Sequence, residues 1–421
     1  MSSGIYRAAQ DTPERGRLRV TVETETRLRP VADATVTISY TGEPGNTLEE
    51  LRTDGNGVAP EIELAAPPLE YSLTPGSSQP YSEYTIRVAA EGYETITISG
   101  AEILSGETAL QSVKMRPETP QEQFENIVIP GHTLYEEYPP KIAENEIKPV
   151  NQTGEIVLSR VVVPEFVVVH DGSPRDTTAT DYYIRYKDYI KNVASSEIYA
   201  TWPRAAIEAN VLAIMSFTMN RVYTEWYRNK GFDFTITSST AFDQKWIFGR
   251  NIFESISEVV DDLFESYLSR PNVKQPILTQ YCDGQRVSCP NWMSQWGSSY
   301  LGEQGYSAIE IIRYYYGDNM YVNTAEQISG IPASWPGYDL TIGSSGQKVE
   351  QMQEQMNAIS NDYPLIPKIN VDGIYGPRTA EAVEVFQGVF GLPQTGVVDY
   401  RTWYKIQEIY VGVTRIAELY P

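Results

Sequence analysis

Between residues 16 and 115, apolar side chains fall on alternate positions in RLRVTVETE, ATVTISY, YTIRVAAEGY and ETITISG. Successive side chains of a strand point to opposite faces, so this period predicts half-buried strands. Turn signals such as TGEPGN and TDGNG separate the runs, and short strands spaced this way predict a small β-sandwich spanning 1–115. From 116 to 160 the period disappears. PETPQEQFENIVIPGHTLYEEYPPKIAENEIKPVNQTGEIVLSR is rich in Pro, Glu and Asn and reads as an extended linker over 116–158. Lying between two cores, it is a place where a protease can cut without unfolding either one, or else a plain spacer.

Beyond 160 a helical period takes over. Thr201-Trp-Pro203 reads as a helix start, with Thr201 as N-cap and Pro203 close to the first turn. Ile207, Val211, Ile214, Met215, Thr218, Val222 and Trp226 follow at one-face spacing, predicting a long amphipathic helix. A second helix is predicted through Ile252, Ile256, Val259, Val260, Leu263, Tyr267 and Leu268, ending before Pro271. A third contains Ile309, Ile312 and Tyr316 and stops at Gly317. IPASWPGYDLTIGSSG links this central domain, 159–335, to a compact unit over 336–421. There Val349, Met352 and Met356 line one helical face, Asp372-Gly373 is a turn pair, and Gly376-Pro377 starts a helix facing Ala382, Val383, Phe386 and Phe390 inward. The fold class is multidomain α+β: an N-terminal β-sandwich, a central mixed α+β domain and a small C-terminal three-helix domain.

A length of 421 residues allows about two to four such domains. The formal charge of −22 (33 Lys and Arg against 55 Asp and Glu) excludes nucleic acid as a partner, because phosphate contacts need clustered cations. The 30 tyrosines and seven tryptophans suit either sugar faces or ordinary cores. The most apolar run, 161–169, is broken by Pro164 and Glu165 and is too short to span a bilayer, and the N-terminus has no signal-peptide pattern. Two cysteines, Cys282 and Cys289, allow one disulfide, which is the favoured reading. Free thiols or half of a tetrahedral zinc site are the alternatives, so no metal and no cofactor are expected.

One stretch stands apart. CPNWMSQWGSSYLGEQGY (289–306) packs two tryptophans, a methionine and a cysteine among Asn291, Ser294 and Gln295. That mixture suits a buried turn or the wall of a binding site.

Several segments resemble known families. PVADATVTI, TDGNG and AEGYE are similar to carboxypeptidase-regulatory or transthyretin-like modules. Residues 340–410 resemble the peptidoglycan-binding type 1 module, which implies glycopeptide contacts at Asp372, Tyr375 and Arg378 beside the DGIYG turn; Asp372 and Tyr375 serve equally well as turn builders. In the central domain, DYYIRYKDYIKNVASSEIYATWPRAAIEANV, AFDQKWIFGRN and SCPNWMSQWGSSYLGEQGYSAIEIIRYYYG resemble, in order, three segments of the stage II sporulation protein D (SpoIID) domain. That resemblance implies a catalytic Glu197, with Tyr199, Trp202, Asp243, Gln244, Ser294, Gln295 and Trp296 along a glycan cleft. Trp296 is equally a core candidate. The chain departs from the pattern at Cys289, where the family carries a histidine.

The domain combination is similar to the spore cortex-lytic enzymes. This implies a proenzyme of the spore, activated by a subtilisin-like Csp protease and acting on cortex peptidoglycan as a lytic transglycosylase. The implied cut is placed in IVLSR, at Ile156 and Val157. The chemistry is self-consistent: with a muramic C6 hydroxyl as internal nucleophile, one carboxyl group serves first as acid and then as base, provided apolar surroundings keep it neutral at the start. By spacing alone Glu197 reads as a solvent-facing or capping residue at a helix junction, and Glu208, in a solvated helical setting, is the runner-up carboxylate. The competing expectations are a non-catalytic wall-binding or structural spore protein, and a hydrolytic muramidase or glucosaminidase.

Overall fold

The computed structural model describes residues 14–25, 29–76, 78–119, 123–136, 138–148, 160–329 and 335–414. The alternating segments form strands β1 (Glu14–Thr24), β2 (Thr35–Tyr40), β3 (Thr47–Arg52), β4 (Ile62–Ala66), β5 (Ser82–Ala89), β6 (Thr95–Ile103), β7 (Thr108–Met115) and β8 (Phe124–Val128). A one-turn helix, α1 (Glu70–Leu73), interrupts them. β3-β2-β5-β6-β8 make one sheet, and β7-β1-β4 make most of the other. Leu18, Val20 and Val22 of β1 face Val36, Ile38, Ile86 and Val88 across a fully buried interior, as a sandwich requires.

The second sheet ends in a strand from elsewhere in the chain. Ile252–Phe253 runs antiparallel to β7, with Ile252 opposite Leu110 and Phe253 opposite Ala109. The N-terminal sandwich and the central domain therefore share a hydrogen-bonded ladder. Glu102 and Arg250 form a buried ion pair across the same seam, and Asn251 exchanges two hydrogen bonds with the Glu102 backbone at 2.9 and 3.0 Å. Burial pushes the Glu102 carboxyl up to about 7 against the pull of Arg250.

In the central domain, α2 (Tyr186–Glu197) and α3 (Arg204–Tyr223) are joined by a short turn. α3 departs from the amphipathic expectation because it is buried on nearly every side, enclosed by α2, α4 (Glu254–Leu263), α5 (Gln295–Glu303) and α6 (Ala308–Tyr316). A helix apolar all round is a core helix. It starts at Arg204, and Thr201 makes no cap: its hydroxyl instead bonds Ser72 of the sandwich at 2.8 Å. The helix expected over 252–268 is three elements. Ile252 and Phe253 belong to the shared sheet, α4 occupies Glu254–Leu263, and Tyr267 and Leu268 sit in the strand Ser266–Ser269, paired with Tyr321–Thr324. Each short element spends its apolar residues on the same core, so their spacing mimics one helix.

The C-terminal region is helical, with α7 (Gln347–Ile359), α8 (Pro377–Val389) and α9 (Tyr400–Thr414) around Met352, Met356, Phe386 and Trp403. α9 docks on the central domain through Arg401 to Asp262 and Lys187 to Glu408, the latter at 3.3 Å. Among the described residues no helix is long and apolar enough to cross a membrane.

The stretch read as a linker is not extended and free. Phe124–Val128 is an edge strand parallel to β6, and residues 129–148 lie along the central domain with Ile129, His132, Leu134, Tyr138, Lys141 and Lys148 buried. Its side chains enter the core one at a time, which leaves no period to detect.

Candidate functional site

Glu197 closes α2 and has no solvent-accessible surface. Its Oε1 accepts from the Lys245 backbone N–H at 2.7 Å, and its Oε2 accepts from the Tyr281 hydroxyl. It makes no ion pair with any described residue. Burial raises its carboxyl above the ordinary range, and the Lys141 charge opposes this. A carboxyl removed from water and held by neutral donors can carry a proton where a surface glutamate cannot.

Residues of the 129–148 strap bracket this carboxyl. Thr133 N–H donates to the Ser196 carbonyl at 3.3 Å, and the His132 Nε2 lies 3.3 Å from the Ile198 carbonyl. The strap thus binds both neighbours of Glu197. The His132 ring stacks on Tyr199 at 4.4 Å, and burial holds it well below the usual histidine range, hence neutral. Lys141 Nζ donates to the Asp243 carbonyl at 2.7 Å and lies 4.4 Å from the Tyr281 ring centroid. Farther on, Glu144 pairs with Arg221 at 2.6 Å and Glu146 with Arg270 at 2.7 Å. Arg286 binds the carbonyls of Thr133 and Leu134.

The residues suggested by the sequence divide into three groups. Gln244 and Gln295 reach Glu197: Gln244 through Tyr281, and Gln295 by donating to the Glu197 carbonyl at 3.1 Å. Tyr199, Trp202 and Trp296 form one aromatic cluster, with centroids 5.1 to 5.9 Å apart, and the Trp202 indole N–H donates to the Ser72 carbonyl at 2.9 Å. All three are buried, so here they support the site from beneath the sandwich. Asp243 is turned away from Glu197. Its carboxylate takes Arg221 Nε at 2.7 Å, Tyr227 at 2.6 Å and Thr237 at 2.7 and 2.9 Å, a saturated framework position. Glu208 pairs with Arg204 on a partly exposed face.

Ser294 caps α5 by accepting from Gly297 N at 2.9 Å. The glycine of MSQWG has a steric reason, since a Cβ on Gly297 would come within 2.0 Å of the Tyr315 hydroxyl. That contact ties the motif to the YYYG segment on α6.

Cys282 and Cys289 are joined by a disulfide with Cα atoms 5.7 Å apart. Cys282 follows Tyr281 on the strand Tyr281–Cys282, which pairs with Met293–Ser294 ahead of Gln295. The bridge therefore closes the loop between two contacts of Glu197. Replacing both cysteines by serine is expected to cost about 2 kcal/mol of stability, the loop-entropy value for so short a closure. Urea unfolding of the two proteins checks this.

In the C-terminal region, the Asp372 carboxylate accepts from Ile374 N at 2.9 Å and Gln353 Nε2 at 3.1 Å, contacts that hold it below the usual carboxylate range. Tyr375 is buried and its hydroxyl donates to the Gly396 carbonyl at 3.0 Å. Both therefore build the turn, while Arg378 is exposed. Ile342 and Ile374, exposed apolar residues beside the same turn, were not signalled by the sequence motif.

A cavity of about 810 Å³ lies elsewhere, at the junction of sandwich, central domain and C-terminal region. Glu23, Lys114, Asp188, Lys405 and Glu408 line it, and this mixed charge reads as an interdomain seam. Among the described residues no cluster of His, Cys, Asp or Glu can hold a metal ion.

Comparison with known proteins defines one part of the chain. Residues 345–406 match the PG_binding_1 family of peptidoglycan binding domains, so the C-terminal region contains a peptidoglycan-binding domain. A curated relative, the zinc D-Ala-D-Ala carboxypeptidase of Streptomyces albus G, is 35% identical over 77 residues, covering 18% of this chain and 28% of the relative. The chain thus spans under a third of that protein. Among solved structures, the Bacillus anthracis TIE protein aligns with 25% of this chain and 17% of its own (17% identity, TM-score 0.18). Catechol 1,2-dioxygenase from Acinetobacter sp. ADP1 aligns with 28% and 58% (12% identity, TM-score 0.19). Overlaps of this size carry no functional argument.

Proposed function

We propose that the protein is the precursor of a spore cortex-lytic enzyme, a lytic transglycosylase in which Glu197 is the general acid and base. The observation that carries this reading is a fully buried carboxyl, free of ion pairs among the described residues, lying under a strap that binds the residues on either side of it. In the first step the Glu197 carboxyl gives its proton to the glycosidic oxygen as the bond to muramic C1 breaks. In the second, the carboxylate takes the proton of the muramic C6 hydroxyl while that oxygen bonds C1. The product is a 1,6-anhydromuramic end, and no water is consumed. One carboxyl suffices because the nucleophile belongs to the substrate, whereas hydrolysis needs a second carboxylate.

The strap supports the zymogen part of the proposal. On this reading His132, Thr133 and Lys141, which bond the Ile198, Ser196 and Asp243 carbonyls, and the buried Tyr138 cover the approach that a glycan would need. The cut suggested at Ile156 and Val157 lies outside the described residues, downstream of the strap's last described contacts at Lys148. On this reading the activating partner is a subtilisin-like Csp protease, the substrate is cortex peptidoglycan and the protein resides in the spore. The peptidoglycan-binding domain keeps the enzyme on its substrate and is compatible with any wall-directed activity.

The test is digestion of cortex peptidoglycan by the intact chain and by the chain cut within 149–159. Anhydromuramic ends formed by the cut chain alone are the expected result. Reducing ends would establish hydrolysis instead, and wall binding without any product would establish a non-catalytic protein.

A further inference from the structure

Tyr281, which no sequence motif singled out, has its hydroxyl orientation set by its partners. Gln244 is fully buried. Its Nε2 donates to the Ile214 carbonyl at 3.0 Å, and a carbonyl can only accept, so the amide orientation is determined. Its Oε1 is then taken by Thr218 Oγ1 at 2.8 Å and the Tyr189 hydroxyl at 3.1 Å. The remaining N–H of Gln244 faces the Tyr281 oxygen at 3.3 Å. Tyr281 must accept there, and its single proton is left with one direction, toward Glu197 Oε2.

We propose that Tyr281 is a positioning residue for the acid–base cycle, its hydroxyl proton locked onto Glu197 Oε2 by the Gln244 amide. This rests on the reading of Glu197 as acid and base. Burial alone would hold Glu197 protonated, good for the first step and useless for the second. Two fixed donors, Tyr281 O–H and Lys245 N–H, stabilise the carboxylate that must form between the steps. A proton on the Oε2 lone pair that Tyr281 fills would face the Tyr281 proton, so the network restricts the transferable proton to the carboxyl lone pairs that neither donor fills. Tyr281 itself exchanges no proton, and its burial keeps the phenol well above its ordinary range.

The experiment compares Tyr281→Phe with wild type by two readouts. Glu197 is titrated in the intact chain by ¹³Cδ-glutamate NMR, with its resonance assigned by loss in Glu197→Gln. The pH dependence of kcat/KM is measured on the cut chain. Loss of a hydrogen bond to a charged group moves both upward by about one to two pH units. Tyr189→Phe removes a buried hydroxyl from the same network without touching Glu197, and is expected to leave the Glu197 titration in place. Should Tyr281→Phe not fold, Gln244→Met frees the Tyr281 hydroxyl to accept from a protonated Glu197, and a smaller upward shift is expected. An unmoved Glu197 titration in whichever of these two folds, or an equal shift in Tyr189→Phe, overturns the proposal. A cut wild type that cleaves no glycan overturns the enzymatic reading alone, because the titration in the intact chain still decides the role of Tyr281.

Discussion

Glu197→Gln in the cut chain is expected to reduce glycan cleavage by about a thousandfold or more while binding to cortex peptidoglycan is unchanged. The size follows from losing both proton transfers, each of which contributes about 10² to 10⁴ in rate. The amide keeps the shape: its one oxygen can accept from the Lys245 N–H while its NH2 group faces the Tyr281 oxygen, so packing around α2 is preserved. Binding survives because Glu197 lies outside the peptidoglycan-binding domain at 345–406. On the proposed mechanism the acid must be protonated at the start, so activity is expected to decline as pH rises through the Glu197 value, which burial places above that of a free glutamate. Product counts by mass spectrometry, together with a pull-down on insoluble wall, separate the two effects. Equal cleavage by the variant would remove Glu197 from the mechanism.

Arg221→Met is expected to destabilise the protein by about 3–5 kcal/mol, the usual result of stripping one partner from a buried ion pair. The Arg221 side chain is fully buried and serves two carboxylates, Asp243 at 2.7 Å and Glu144 at 2.6 Å. Asp243 belongs to the central core and Glu144 to the strap, so the change also loosens the strap. Glu144→Gln separates the contributions, since it leaves Arg221 with Asp243 and weakens only the strap. Urea unfolding reads the global loss. Hydrogen exchange at Ile142 and Glu144, whose amides bond Ala241 and Gln280, reads the local one. A loss below about 1 kcal/mol in Arg221→Met would show that the strap and core do not depend on this charge.

The parts of the fold legible in the sequence were those with a repeating period. The sandwich strands alternate because one face of each sheet is dry, and α7 and α8 show a clear apolar stripe. The central core was harder to read, because α3 is buried all round and short strands borrow apolar residues at helical spacing. The site was legible only through motifs, and motifs do not report direction. Asp243 and Gln244 are adjacent, yet one carboxylate turns to Arg221 while its neighbour's amide reaches Tyr281. Trp296 and Tyr375 fitted a binding surface and a packed position equally well in the sequence, and both are packed inside. The strap was invisible for a different reason: Lys141, Glu144 and Glu146 are polar residues that read as solvent-facing until Arg221, Arg270 and the Asp243 carbonyl are folded beneath them.

The ladder between β7 and Ile252–Phe253 bears on what a single peptide-bond cut can accomplish. Hydrolysis within 149–159 would sever the covalent path between sandwich and central domain while leaving this ladder, the Glu102–Arg250 pair and the Trp202–Ser72 bond in place. The nicked molecule would be a heterodimer made from one gene product, its smaller subunit still carrying the strap. Liberation of Glu197 would then be a dissociation, with an off-rate and a dependence on dilution, rather than the immediate outcome of proteolysis. A delay between cutting and the onset of wall breakdown would be written into the interface.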